Sequence, residues 1–142
     1  LLKRNNRNIT TNTNKNMNKR SIQLDWKGYF EYTDGNVQKY APTKAGVYKI
    51  GIKQKDEKLA VRYIGQANDL DRRLKEHLDL DNEPNECLVE RLRKYHAEFS
   101  FAEVNTQSDR DGAEKALYDF YEPACNDADA IPNGPDIEIN PR

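Results

Sequence analysis

Between residues 46 and 78 the spacing of apolar residues changes once, and that change limits the fold more than any other feature of the chain. Residues 46–53 (GVYKIGIK) and 60–65 (AVRYIG) alternate and are rich in β-forming types, the mark of strands with two different faces. The polar stretch 54–58 between them reads as a hairpin loop. Leu70, Leu74 and Leu78 then recur at every fourth position, the stripe of an amphipathic helix reaching about residue 79, with Asn68 or Asp69 as its N-cap. Pro84 suits the first turn of a second helix, whose apolar side is Leu88, Leu92 and Tyr95. A short strand is predicted at 99–104 and a last helix at 111–121, with Ala113, Leu117 and Phe120 or Tyr121 facing inward and Pro123 ending it. Upstream, the alternation from Ile22 to Trp26 predicts a strand or extended arm that packs Trp26 on the domain, and Asp34-Gly35 marks a turn. The predicted class is α/β (α+β): a small antiparallel sheet of three or more strands flanked by helices.

A chain of 142 residues suits one such domain with tails. Residues 1–20 are Asn-rich, carry six basic and no acidic side chains, and bury almost nothing; such a segment cannot offset its ordering entropy and is expected to be disordered. The sole methionine is Met17, and the Asn, Lys, Ile and Thr before it are what AT-rich DNA encodes when read in frame, so residues 1–16 are expected to be upstream sequence. The domain proper is expected at 42–126, preceded by an extension over 21–41 that packs on it and followed by a loosely held acidic tail over 127–142. No apolar run approaches the roughly 20 residues that span a bilayer, so no membrane partner is expected. Cys87 and Cys125 fit no metal-ligand spacing or disulfide framework; the reading is two free thiols in a reducing, cytoplasmic compartment. The acidic stretch 79–83 lacks the glycine and closing glutamate of an EF-hand loop and reads as solvated.

The pattern gathers several polar groups. Tyr48 and Tyr63 sit in the two hairpin strands, Arg73 and His77 are four apart on one helix face away from the leucine stripe, and Glu114 falls in the first turn of the last helix. Taken singly each has an ordinary explanation: packing tyrosines, a solvated Arg/His face, a glutamate serving the helix dipole.

The order of short motifs says more. Gly46-Val47-Tyr48 is followed by Tyr63-Ile64-Gly65, then by Arg73 eight residues on and His77 four beyond that. Glu114 follows, with Pro123 and Asn126 after it. Over roughly Pro42 to Asn126 the chain resembles the GIY-YIG nuclease family, which includes homing endonucleases, some restriction enzymes and the incision subunit of bacterial excision repair. The resemblance implies that Tyr48 and Tyr63 line the site and activate or position the attacking water. It makes Arg73 the catalytic arginine and His77 the occupant of a position often held by histidine. It also implies that Glu114 is the single carboxylate holding one metal ion, Mg2+ or Mn2+, and that Asn126 buttresses the site, with Gly46 and Gly65 as supporting glycines. Val47 stands where the family name has isoleucine.

That chemistry needs these residue types. Arg73 offers a forked, charge-assisted contact to a phosphate oxygen that lysine does not reproduce. A hard cation on one carboxylate, otherwise ligated by water, stabilises the leaving oxygen. A tyrosine with pKa near 10 is a poor base at neutral pH, so nearby cations lower it or its proton passes on through water or His77; the sequence leaves both routes, and the choice between Tyr48 and Tyr63, open. The expected activity is metal-dependent hydrolysis of DNA, duplex or branched, with a protein partner or a dimer as a candidate source of specificity. The alternatives are a catalytically weak nucleic-acid-binding or regulatory domain of the same fold, or a subunit active only in a complex. The net acidic segment between residues 20 and 127 argues against tight nonspecific DNA binding by this domain alone. Mass spectrometry of the natural protein is expected to find Met17 at its N-terminus and no peptide from residues 1–16.

Overall fold

The hairpin predicted from the alternation becomes one half of a four-stranded antiparallel sheet. In the computed structural model, which describes residues 19–142, the strands are β1 (Arg20–Ile22), β2 (Lys27–Glu31), β3 (Gly46–Lys53), β4 (Leu59–Ala67), β5 (Ala97–Glu103) and β6 (Ile137–Ile139). The helices are α1 (Asp34–Tyr40), α2 (Leu70–Leu78), α3 (Glu86–Lys94) and α4 (Gln107–Tyr121). The sheet order is β2-β5-β3-β4, with β1 and β6 forming a separate parallel pair. The expected tail over 1–20 lies outside the described residues except for its last two, of which Arg20 is in β1.

β3 is covered on both faces, so its alternation sorts side chains between two cores rather than between core and water. Tyr48, Ile50 and Ile52 pack with Phe99 and Phe101 of β5, Val37 of α1, Leu70 and Leu74 of α2 and Leu88 of α3. On the other face Val47, Ile64 and Ala102 meet Ala113 and Leu117 of α4, together with Leu24 and Ile137. The sheet therefore lies between a layer of three helices and a layer built from α4 and the two chain ends.

Four expectations are corrected. Asp34-Gly35 opens α1 instead of a turn, because the Thr33 side chain accepts from Asn36 N and caps a helix there. The last helix begins at Gln107, where Thr106 caps it, so Glu114 stands two turns into α4 and not in its first turn. Tyr95, expected on the apolar side of the second helix, follows its end and is exposed, whereas of Phe120 and Tyr121 the second packs inward as expected. Residues 127–142 are not loosely held: β6 pairs in register with β1, from Arg20↔Ile137 to Ile22↔Ile139. Asn140 accepts from Leu24 N at 2.6 Å and donates to Leu24 O at 2.9 Å. Pairing between segments more than 110 residues apart leaves no local signal.

Both flanking segments tie into the domain. Tyr32 donates to the Leu74 carbonyl at 2.7 Å, holding α2 from the N-terminal side. Lys49, fully buried on β3, lies 3.9 Å over the Trp26 ring and donates to the Pro141 carbonyl at 2.6 Å. Burial pulls its pKa down to about 8, while the ring face and the carbonyl favour its charged form.

Cys87, in the first turn of α3, and Cys125, in the loop after α4, are joined in a disulfide. The expectation of two free thiols is overturned, and with it the thiol argument for a reducing compartment. The reason is tertiary: the loop over 123–126 runs beside the start of α3, where Asn85 Nδ2 donates to the Cys125 carbonyl at 2.9 Å. Closing a loop across a separation of 38 residues is worth about 4 kcal/mol on the chain-entropy estimate. Guanidinium unfolding with and without dithiothreitol is expected to show a loss of that order, absent in a Cys87→Ser/Cys125→Ser double variant; coincident midpoints in the wild type would remove the bond from the native protein.

Candidate functional site

The register of β3 on β4 sets Tyr48 directly opposite Gly65. A Cβ at position 65 would fall onto the Tyr48 hydroxyl, so the glycine leaves the space in which that phenol lies. Gly46 is equally confined: a Cβ there would meet the Ala102 carbonyl. Across the cleared strand the Tyr48 hydroxyl reaches His77 Nε2 at 2.7 Å.

His77 belongs to the buried stripe of α2, with Leu70 and Leu74. Leu78 packs partly buried on the same core, but the expectation that His77 lies on a face apart from the leucine stripe is corrected. On the far side of the ring, Nδ1 lies 2.7 Å from Glu83 Oε1, and the Glu83 side chain is 4% exposed. The acidic stretch 79–83 was read as solvated, and Asp79, Asp81 and Asn82 are indeed exposed, but Glu83 turns inward onto the histidine. Nothing in its composition distinguishes it from its neighbours; a glutamate six residues after a histidine, just past a helix end, was the one available cue.

A carboxylate only accepts, so Nδ1 carries the ring proton and Nε2 accepts from Tyr48. Burial lowers the His77 pKa, as does Arg73, against the hydrogen bond to Glu83, which raises it; the ring is neutral at neutral pH. Burial also holds the Tyr48 pKa well above 10, with Arg73 opposing.

Tyr63 is half-buried beside this pair, its ring centroid 6.3 Å from Tyr48 and 5.2 Å from His77 in an edge-on arrangement. Its pKa is raised by burial, lowered by Arg73, and raised by Glu83 and Glu114. Arg73 lies at the mouth of the cluster, 40% exposed, hydrogen-bonded to the Tyr48 and Tyr63 hydroxyls and in a long contact of 3.9 Å with Glu76. Its pKa is raised: burial works against its charge, but Tyr48 and Tyr63 outweigh that effect. Tyr48, Tyr63, Arg73 and His77 are thus brought together.

Glu114 belongs to the opposite layer, on α4, and is 8% exposed. Burial raises its pKa; Gln66 beside it lowers it and Asp111 raises it further. Among the described residues no basic side chain acts on it, and a buried carboxylate so placed is a setting a hard divalent ion fits. Among the described residues no group of three or more His, Cys, Asp or Glu could hold a metal. Its link to the tyrosines is electrostatic and passes through Tyr63, across the edge strand β4.

Asn126 completes that edge. Its Oδ1 accepts from Ile64 N at 2.8 Å and its Nδ2 donates to Ile64 O at 2.9 Å, while Cys125 N donates to Arg62 O at 2.9 Å. The loop so mimics a fifth strand against β4 between Tyr63 and Gly65.

The family model described as GIY-YIG catalytic domain matches residues 44–124. No curated protein matches the chain. Among solved structures, the GIY-YIG N-terminal endonuclease domain of UvrC from Thermotoga maritima is similar. Its magnesium-bound form has 26% identity and a TM-score of 0.49, over 65% of this chain and 97% of that chain. A tyrosine-to-phenylalanine point mutant bound to its catalytic divalent cation has 26% identity and a TM-score of 0.49, over 65% and 96%. An asparagine-to-alanine point mutant has 25% and 0.49, with the same coverage. Among the described residues of the present chain, no helix is long and apolar enough to cross a membrane.

Because His77 is buried neutral and its folded pKa lies below the ordinary 6.5, the unfolded chain takes up its proton first. The stability it contributes is full above that value and is lost as pH falls through the folded pKa. Chemical unfolding of wild type and His77→Asn across pH 4.5–8 is expected to show a shallower acid loss in the variant; parallel curves would contradict the assignment.

Proposed function

The chain belongs to the GIY-YIG catalytic domain family, and from that premise we propose that it is a metal-dependent endonuclease hydrolysing DNA phosphodiester bonds. The observation that carries this reading is the cluster in which the Tyr48–His77 hydrogen bond, the Tyr63 ring and the Arg73 guanidinium meet. Arg73 is the substrate's first anchor. Its half-exposed fork lies beside the Tyr48 and Tyr63 hydroxyls and only loosely on Glu76, so the glutamate contact can give way to phosphate oxygens. It then neutralises the charge that spreads over the phosphoryl group as water attacks. Tyr63, half-exposed and flanked by Arg73, orients the attacking water at the mouth. Tyr48 and His77 lie behind it and receive a proton.

Glu114 would hold one divalent cation, Mg2+ or Mn2+, through hard oxygen donors. When bound, the ion supplies Lewis-acid stabilisation of the leaving oxygen. Asn126, paired with Ile64, holds β4 next to Tyr63. Acidic residues outnumber basic ones in the chain, which favours a second reading: cutting only with a partner that supplies the DNA-binding surface. Nicking by the isolated protein would set that reading aside; nicking that appears only with proteins retained in a pull-down would establish it.

Arg73→Ala is expected to reduce plasmid nicking by about 10²–10³, the scale of one electrostatic donor. Glu114→Ala is expected to remove the response to Mg2+ or Mn2+. The measurement is single-turnover nicking of supercoiled plasmid, with circular dichroism to verify folding; a folded Arg73→Ala protein cutting at the wild-type rate ends the reading.

A further inference from the structure

We infer that Glu83 is a positioning residue: it fixes His77 in the tautomer and orientation that let the ring take the Tyr48 hydroxyl proton, so that the three side chains act as one proton relay. The inference rests on the nuclease reading above and adds to it a residue that sequence reading assigned to a solvated loop. Three observations support it. The chain of hydrogen bonds is continuous, 2.7 Å from Tyr48 to His77 and 2.7 Å from His77 to Glu83. It is shielded in the resting protein, with Tyr48 1%, the His77 side chain 0% and the Glu83 side chain 4% exposed, and its Tyr48 end lies against Arg73 at the mouth, where bound substrate would bring the water. Its direction is set by chemistry, because a carboxylate at Nδ1 leaves only Nε2 to accept from the phenol.

Burial makes a free tyrosinate at Tyr48 costly, and a relay avoids forming one. As the water oxygen bonds to phosphorus, the water proton passes to Tyr48 Oη while the phenol's own proton moves to His77 Nε2. The bond from phosphorus to the leaving oxygen breaks, its electron pair stays on that oxygen, and solvent supplies the oxygen's proton. The imidazolium so formed keeps its Nδ1–H on Glu83, whose negative charge stabilises it. The ring returns its proton to solvent through Tyr48 after product leaves. The groups facing His77 are Tyr48 from β3, Tyr63 from β4, Arg73 and Glu76 from α2, and Glu83 from the loop. Arg73 opposes a positive ring and the two glutamates favour it. Glu83 makes the short contact, so its replacement has the largest effect.

The test uses the full chain as wild type and as Glu83→Gln, which keeps an acceptor of the same shape and removes the charge. Single-turnover plasmid nicking in excess Mg2+ is followed from pH 5.5 to 9, alongside DNA affinity measured in Ca2+ and the ring 15N shifts of His77. The expected result is a fall of about 10² in the cleavage rate, the lower end of what a general base contributes. DNA affinity stays within twofold, and the rate rises to its plateau at a different pH. In the wild type the 15N shifts are expected to show the proton on Nδ1. A Glu83→Gln rate within twofold of wild type with the same pH profile overturns the proposal, as does a wild-type His77 protonated on Nε2. The 15N shifts need only the wild-type protein, so a Glu83→Gln chain that fails to fold leaves that test standing. If Arg73→Ala and Glu114→Ala lose activity while Glu83→Gln does not, the nuclease reading survives and the relay does not. A wild type that nicks under none of these conditions sinks the nuclease reading first.

Discussion

The candidate site depends on one register, that of β3 against β4. Tyr48 lies opposite Gly65, and only a residue without a side chain leaves room for the phenol to cross the neighbouring strand. A slip of one residue would exchange the two faces of β3. Lys49 would then enter the aromatic core now filled by Tyr48, and Tyr48 would take the place under Trp26 where the lysine ammonium sits. Both outcomes are costly, one because it buries an unpaired charge and the other because it abandons the hydrogen bond to His77. A strand buried on both faces with such unlike residues at adjacent positions has one good register.

From that register follows the electrostatic character of the site. Tyr48, His77 and Glu83 form a buried polar chain, and such chains are stable only when every member is satisfied. Here each is: the phenol by the ring, the ring by the carboxylate. Their burial raises the tyrosine and lowers the histidine pKa, so both are neutral in the resting protein and a proton can move between them without first creating a charge in water. Arg73, by contrast, is half open, hydrogen-bonded to the two tyrosines and only loosely paired with Glu76. Dry relay and wet anchor meet at Tyr63, which is in contact with one and under the field of the other.

How much of this the sequence reveals depends on range. The hairpin and α2 are local patterns and are legible from alternation and leucine spacing, as is the N-cap Asp69. Motif order picks out Tyr48, Tyr63, Arg73 and His77, and the structure brings these four together. What stays hidden is tertiary. Periodicity put Arg73 and His77 on one face apart from the leucine stripe, yet the helix is rotated so that His77 joins the leucines in the core while Arg73 stays at its rim. Glu83 looks like one more acid in an acidic loop until the loop folds back. The Cys87–Cys125 bond and the pairing of β1 with β6 join segments that carry no mark of each other. The early start of α4 is different: Thr106 followed by Asp109 is a legible capping signal, and beginning that helix at residue 111 overlooked it.

The position of Glu114 bears on how a net acidic chain can address a polyanion. The carboxylate and the guanidinium of Arg73 lie in different layers, separated by β4, which is an edge strand held by Asn126 and Cys125 over residues 62–64. An edge can be approached from both faces at once, so a phosphate bridging it would meet Arg73 from one layer and a cation on Glu114 from the other. On the proposed reading the positive charge that matters would be local: one guanidinium and one bound ion beside the phosphate, where screening is small. Attraction over the rest of the duplex would remain weak, since the surrounding surface is not basic enough to release many counterions. A domain so built can hold a phosphate well while gripping DNA poorly, which separates the capacity to cut from the capacity to stay bound.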